Sequence, residues 1–310
     1  MTSIQQSNRL RFRQLVRAFL IGAAFCLPLS LTTAAEKQPL SRGEFVFRAT
    51  GGCSCHTDFQ NKGQRLAGGR SLKTPYGPIY SSNITPDVAT GIGNWQLADF
   101  IKAMQQGVGP GGKKFFFLEK HYFPVFPYTA FTKIREPDLV ALWEYLQTVT
   151  PVAAKNKPHD MMPPFGWRIN LIVWKWFNFN PGEFVSNPAQ SEDWNQGAYL
   201  VKAMAHCEEC HSPRNLMGGL KQDQLFIGSK DGPEGELAPN ITPDKTTGIG
   251  NWKPSDLSWF LKTGQKPDGD FAWGLMSEVI FEGYQYLETA DLDRIVLYIT
   301  SQTPVQHKVR

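Results

Sequence analysis

From residue 43 onward, apolar side chains recur at helical spacing in six short stretches that form three pairs: 43–52 with 197–206, 97–106 with 255–263, and 136–149 with 290–301. In the longest stretch Leu139, Leu142, Trp143 and Leu146 fall on one face, leaving charged residues on the other. The intervening segments are rich in Gly, Pro, Asn and Ser and read as irregular loop. The pattern predicts an all-α chain in which a unit of three or so helices wrapped by loops occurs twice. Between the units, residues 153–190 contain "MMPPFGWRINLIVWKWFNFNPGEF". That stretch is too apolar for a free linker, so it is expected to pack across both units.

The amino terminus has another character. Arg9, Arg11, Arg13 and Arg17 precede an apolar run over 18–31, and "LTTAA" follows. This is the layout of a secretory signal, and the run is shorter than the roughly 20 residues of a membrane-spanning helix. Cleavage after Ala35 is expected; if the segment stays, it tethers the chain to a membrane. Cys26 follows Phe25, too bulky for a lipoprotein cleavage box, and leaves with the signal. The chain of 310 residues then divides into a signal (1–35), a first domain (36–152), a connector (153–190) and a second domain (191–310). The whole chain carries 32 basic and 28 acidic residues; without the four arginines of the signal, 28 face 28. A formally neutral mature chain excludes a nucleic-acid partner on electrostatic grounds.

Four cysteines remain, in two close pairs each followed by a histidine: Cys53, Cys55 and His56 in "GGCSCHTD", and Cys207, Cys210 and His211 in "CEECH". The second is an unbroken C-x-x-C-H, which in an exported chain reads as covalent attachment of haem c. Two thiols one helical turn apart can bond the two vinyl groups of one porphyrin while the adjoining imidazole reaches the iron. A short-loop disulfide and half of a zinc site are the competing readings.

An internal repeat decides the first cluster. "NITPDVATGIGNW" from Asn83 returns as "NITPDKTTGIGNW" from Asn240, an offset of 157. "GEFVFRATGGC" from Gly43 aligns with "GAYLVKAMAHC" from Gly197 at 154, pairing Cys53 with Cys207, while Cys55 and His56 match Cys210 and His211 at 155. The first cluster is therefore expected to be a haem motif lacking one intervening residue, and the chain to hold two covalently bound haems. Because residues i and i+2 of a helix point to nearly opposite sides, Cys53 and Cys55 cannot both reach vinyl groups without local unwinding. Cys55, still beside His56, is the firm link. Near each repeat's end, "EPDLVALWEYLQTVTPV" from Glu136 matches "ETADLDRIVLYITSQTPV" at 153, so the first unit has extra residues between Gly112 and Glu136.

The whole mature chain resembles the exported dihaem cytochrome c proteins related to the cytochrome subunits of membrane-bound alcohol, aldehyde and gluconate dehydrogenases. "WNQGAYLVKAMAHCEECHSPRN", both "NITPD…TGIGNW" stretches and "GDFAWGLMSEVI" carry the resemblance. It implies two tandem class I cytochrome c domains. Larger members add a third haem domain and a C-terminal anchor, neither of which is expected here. The family's second iron ligand is a methionine after the glycine loop, and Met276 stands in that place. The first unit departs from this: no methionine occurs between Met104 and Met161, and Phe126 and Ile134 occupy positions where the family often has one. His121, within the extra residues, is a candidate replacement; an open site and a ligand from Met161 or Met162 are the alternatives. Asn83, Trp95, Asn240 and Trp252 are candidate donors to haem propionates, although packing and turn formation explain the same residues.

"GVGPGGKK" from Gly107 fits G-x-G-x-x-G without the strand and helix that a phosphate loop needs, and is set aside. No Ser/His/Asp arrangement stands out. The expected function is periplasmic electron carriage, not catalysis: electrons enter from a periplasmic dehydrogenase and leave to another cytochrome or a quinone-linked complex of the respiratory chain. A dihaem peroxidase-like enzyme and a haem-based small-ligand sensor, each using an open first haem, are the rival readings.

Overall fold

Helix α1 (Arg42–Ala49) begins where Ser41, in extended conformation, accepts a hydrogen bond from the Glu44 amide. A short 3-10 helix, Gly51–His56, follows directly. The computed structural model describes residues 39–111 and 119–309, and from Leu40 on they belong to one compact unit. The segment read as a signal lies outside the described residues, as do 112–118 of the first unit's extra loop.

The expected helices are present within a few residues. Helix α2 (Leu97–Gln106) is closed by Gly107, α3 (Tyr128–Phe131) is one turn, and α4 (Glu136–Thr148) starts with two acids in its first turn, where the helix dipole favours them. The connector contributes α5 (Asn170–Asn178). The second repeat supplies α6 (Glu192–Tyr199), which runs on into a π turn at Leu200–Met204, then α7 (Cys207–His211), α8 (Pro254–Thr263), α9 (Gly274–Glu282) and α10 (Thr289–Thr300). The described strands are two-residue pieces in antiparallel pairs, β1 (Ser71–Leu72) with β2 (Ile79–Tyr80) and β3 (Val108–Gly109) with β4 (Lys120–His121). The β3–β4 hairpin is where the extra residues of the first repeat go; the second has only the single bridge Gln265–Phe271 there. No helix among the described residues is long and apolar enough to cross a membrane.

Helix α1 packs on α4, and α6 packs on α10 in the same way. The apolar faces of these four helices merge into one buried cluster that includes Phe47, Leu139, Leu142, Tyr199, Leu200, Met204, Leu292 and Ile295, so the two repeats share a continuous core. The repeats also interlock crosswise. Helix α9 of the second repeat lies on Gly51–His56 of the first, with Arg48 donating to the Glu282 carbonyl at 2.9 Å. Reciprocally, α3 packs on the π turn of the second repeat, and Phe131 meets the His206 ring at 5.3 Å.

The connector touches both repeats, as its composition predicts. Lys175 donates to the Gln106 carbonyl at 2.6 Å, and Trp174 Nε1 to the Met217 carbonyl at 2.8 Å. Leu171, Ile172 and Trp174 of α5 are buried, whereas Trp176 and Phe177 on its other side are exposed.

Asp138 is a polar staple between the repeats. It accepts from Arg42 Nε and Nη2 at 2.6 and 2.8 Å and from the Tyr199 hydroxyl at 2.6 Å, while Tyr199 itself is fully buried. Hydrogen bonds to a charged group contribute about 1.5–3 kcal/mol each, less where a partner is half exposed as Arg42 is. Asp138→Ala is therefore expected to lower the free energy of unfolding by about 3 kcal/mol, read as a lower urea midpoint, and Tyr199→Phe by about 1 kcal/mol. An unchanged midpoint for Asp138→Ala would remove this staple from the account.

Candidate haem-attachment sites

The repeat changes register in space just ahead of the cysteines, which refines the expectation of a residue missing between them. The Thr50 amide closes α1 by donating to Val46 O at 3.0 Å, four residues back, whereas the Ala205 amide donates to Leu200 O at 2.7 Å, five back. Val46 and Leu200 correspond at offset 154, Thr50 and Ala205 at 155. The second repeat's additional residue is thus absorbed by the π turn, the usual form of a one-residue helix insertion. Beyond it, Gly51 (φ 70) matches His206 (φ 42), both left-handed. Gly52 then stands in the place of Cys207, Cys53 in that of Glu208, and Cys55 and His56 in those of Cys210 and His211. Cys53 is itself left-handed at φ 50, ψ 35, a conformation that costs a non-glycine residue about 1–2 kcal/mol. The unwinding that two closely spaced thiols require is present in the backbone.

The four cysteines of the two clusters are free thiols. Burial pushes them up, Cys53 to about 11 and Cys207 and Cys210 to about 12. A structural zinc ion is held by four converging ligands. Among the described residues no three His, Cys, Asp or Glu side chains converge as a metal ion would need. The donor set does not form a zinc site.

The imidazoles fit iron. His56 Nδ1 lies 2.6 Å from the Ser82 carbonyl oxygen, and His211 Nδ1 lies 2.8 Å from that of Pro239. The two carbonyls are themselves 157 residues apart, the offset of the repeat. A carbonyl only accepts, so each ring carries its proton on Nδ1 and presents an unprotonated Nε2. Burial holds both rings below the usual histidine value, hence neutral. Sequence reasoning missed Ser82 and Pro239.

Cys53, Cys55 and His56 line a cavity of about 1810 Å³, beyond the roughly 300–1,000 Å³ of a pocket for one small ligand. Asn83 and Trp95 line it too, as do His206, Glu209 and Cys210 of the second repeat; Cys207, His211, Met276, Asn240 and Trp252 do not. Cys55 and Cys210 line the same cavity, so the two attachment segments open onto one space. Residues and space thus fit a covalently attached porphyrin at the first cluster, and the matching imidazole geometry extends the fit to the second.

Asn83 and Asn240 are buried in the repeated turn. Asn83 Nδ2 donates to the Val152 carbonyl at 2.7 Å and its Oδ1 accepts from Thr85; Asn240 does the same with Val305 at 2.8 Å and with Thr242. These amides spend their polar atoms on turn formation. Trp95 packs half-buried against the core, and Trp252 meets Phe260 edge-on at 5.6 Å.

Met276 is the third residue of α9, half-buried against the shared core. Glu236 fixes the start of that helix by accepting from the Leu275 amide at 3.0 Å. Farther along α9, Glu278 pairs with Arg70 of the first repeat, which also holds Glu234 at 2.8 Å. In the first repeat Phe126 lines the cavity among aromatic neighbours, and Ile134 is buried in the core away from it. His121 is buried on β4, off the cavity, with Nδ1 3.0 Å from Lys175 Nζ. Met161 faces the cavity and its sulfur accepts from Thr74 at 3.9 Å; Met162 is exposed.

No protein-family model matches the chain. It is 38% identical over 277 residues to the fructose dehydrogenase cytochrome subunit of Gluconobacter japonicus, an alignment covering 88% of this chain and 55% of that protein. Over 244 residues it is 36% identical to a dihaem cytochrome c-type protein of Cereibacter sphaeroides, covering 77% of this chain and 78% of that one. Identity to the gluconate 2-dehydrogenase cytochrome c subunit of Pantoea cypripedii is 35% over 286 residues, 88% and 62% of the respective chains. This chain thus spans little more than half the length of the fructose dehydrogenase subunit.

Proposed function

Since the chain belongs to the family of cytochrome c subunits of fructose, gluconate and alcohol dehydrogenases, we propose that it is an exported two-haem electron carrier that serves a periplasmic dehydrogenase. The observation that carries this reading is the pair of imidazoles, 155 residues apart, each beside a cysteine and each oriented by a carbonyl in the same place of its repeat. Haem c, when bound, supplies a one-electron ferric/ferrous couple. The chain's part is to tether it through Cys55 and Cys210, with Cys53 and Cys207 as second links, and to offer His56 and His211 Nε2 to iron.

The repeats behave as two cytochrome domains locked face to face rather than as beads on a linker. Cross-packing of α9 and α3 brings the attachment segments together, which suits electron passage inside the chain. Electrons would leave toward another cytochrome or a quinone-linked complex, and substrate oxidation would belong to the partner. The signal sequence supports a periplasmic location.

The second iron takes Met276 as its other ligand in this reading. For the first, ligation by His121 would require breaking its contact with Lys175, whose ammonium occupies the Nδ1 lone pair and leaves the ring proton on Nε2. A first haem whose iron would take its only protein ligand from His56, with Phe126 on the cavity wall, fits better. The reduced protein is then expected to bind carbon monoxide at one haem of two, seen as a Soret shift of about half the full amplitude. Silence at both haems would instead mean that a protein ligand, His121 or Met161, closes the site. Turnover of peroxide at the open haem would favour the peroxidase-like rival. The test of the whole reading is composition: two haems per chain in the pyridine spectrum, and reduction of both by a co-purified dehydrogenase. A colourless protein, or one iron per chain, overturns it.

A further inference from the structure

Lys120, His159 and Arg168 share one wall of the cavity that Cys55 and His56 line. The Arg168 guanidinium lies over the Phe123 ring at 5.1 Å and donates through Nη1 to the His121 carbonyl. His159 meets the same ring edge-on at 5.5 Å, and its Nδ1 accepts from the Tyr80 amide at 3.2 Å. An amide can only donate, so the neutral imidazole carries its proton on Nε2 and has a donor to offer. Among the described residues, Nη1 is the one guanidinium donor with a hydrogen-bond acceptor in the protein.

The cluster contrasts with three other arginines of the chain. Arg48, Arg70 and Arg214 each face a carboxylate, on Glu44, Glu234 with Glu278, and Glu209. Among the described residues none forms an ion pair with Lys120, His159 or Arg168. Uncompensated cations in a half-buried wall are costly, and a fold keeps them where an anion will come.

We propose that Arg168 and His159, with Lys120 at the rim, bind the propionate carboxylates of the first haem, so that the connector serves as that haem's anion clamp. The inference rests on the two-haem reading above. Through its Nε and Nη2 donors, which have no acceptor among the described residues, the guanidinium can take a carboxylate by two parallel N–H bonds, and the histidine adds a third donor. Asn83, whose amide is consumed by its turn, is not needed for this role. The clamp comes from a segment that occurs once in the sequence, which makes the first site electrostatically unlike the second.

The test uses the full-length holoprotein and spectroelectrochemical titration of each haem across the neutral pH range. A cation beside the propionates disfavours the ferric state. Arg168→Gln is therefore expected to lower the potential of one haem and to make it pH-dependent near neutrality, as an unclamped propionate takes up a proton. The other haem should not move. Resonance Raman propionate bending modes of the same haem should shift, and Arg168→Lys should recover most of the potential. If Arg168→Gln does not fold, Lys120→Gln, on an exposed side chain, is expected to give a smaller shift of the same sign. Two haems per chain with both potentials and propionate modes unchanged in Arg168→Gln, or in His159→Leu and Lys120→Gln together, would overturn the clamp alone. So would a wild-type potential that tracks added acetate, since the cluster would then serve a free carboxylate. A wild-type haem content below two would instead remove the reading beneath it.

Discussion

Cys55→Ala is expected to halve the haem content of the protein, from two per chain to one, whereas Cys53→Ala should leave both haems attached through denaturation. The argument runs from backbone register. Once the π turn has absorbed the second repeat's additional residue, Cys55 and His56 coincide with Cys210 and His211, and Cys53 coincides with Glu208. A thioether at Cys55 adjoins the imidazole that binds iron; a thioether at Cys53 depends on a left-handed residue holding its strained position. The Cys53 sulfur also lies 3.7 Å from the Thr50 hydroxyl, at the end of α1 and packed against the core. Haem staining after denaturing electrophoresis, with the intact mass of each variant, separates the cases. Should Cys53→Ala lose haem as completely as Cys55→Ala, both sulfurs are indispensable and the register argument falls. Cys210→Ala is expected to match Cys55→Ala at the other site.

The features the sequence made legible are those that depend on side-chain identity. Apolar spacing located all six repeated helices, because each buries one face in the shared core. The NITPD stretches announced the repeat, because their Asn, Thr and Asp side chains build the turn themselves, as the bonds from Asn83 to Val152 and from Thr85 to Asn83 demonstrate. What escaped prediction is carried by backbone or by distant partners. The carbonyls that orient the imidazoles belong to Ser82 and Pro239, a non-matching pair, since only the main-chain oxygen is used. Their one signal was position, immediately before the repeated asparagines. The π turn leaves no compositional trace in "LVKAM", only a one-residue change of offset, which a reading confined to the motif assigns to the motif. The placement of α9 against the first repeat's cysteines, and of Arg168 and His159 beside the first cavity, comes from long-range packing that no local pattern encodes.

Gly197→Ala is expected to destabilise the protein by about 3 kcal/mol, and Gly197→Leu to abolish haem-loaded protein altogether. In a helix of ordinary surroundings the alanine change would stabilise by about 1 kcal/mol, since glycine is the poorer helix former. Here a Cβ at residue 197 would stand 2.0 Å from the Arg294 carbonyl oxygen and 3.1 Å from the Tyr298 Cβ. Gly43 is in the same position against Ala141 O at 2.2 Å and Tyr145 Cβ at 2.8 Å. Both pairs obey the repeat, so these are one contact made twice: α1 crosses α4, and α6 crosses α10, at a separation that only a bare backbone permits. The obstacle is a helix carbonyl that no rotamer change can move aside, and relief requires the helices to part. Parting them at Gly197 opens the core around Tyr199 and Leu200 and displaces the π turn that leads straight to Cys207, so attachment at the second site suffers with stability. Urea unfolding and haem yield, measured together on Gly43→Ala and Gly197→Ala, check this. Each variant should weaken the fold, and Gly197→Ala should deplete the second haem more than the first. A gain in stability at either position would mean that the crossings are looser than the backbone places them, and that the shared core does not depend on close helix approach.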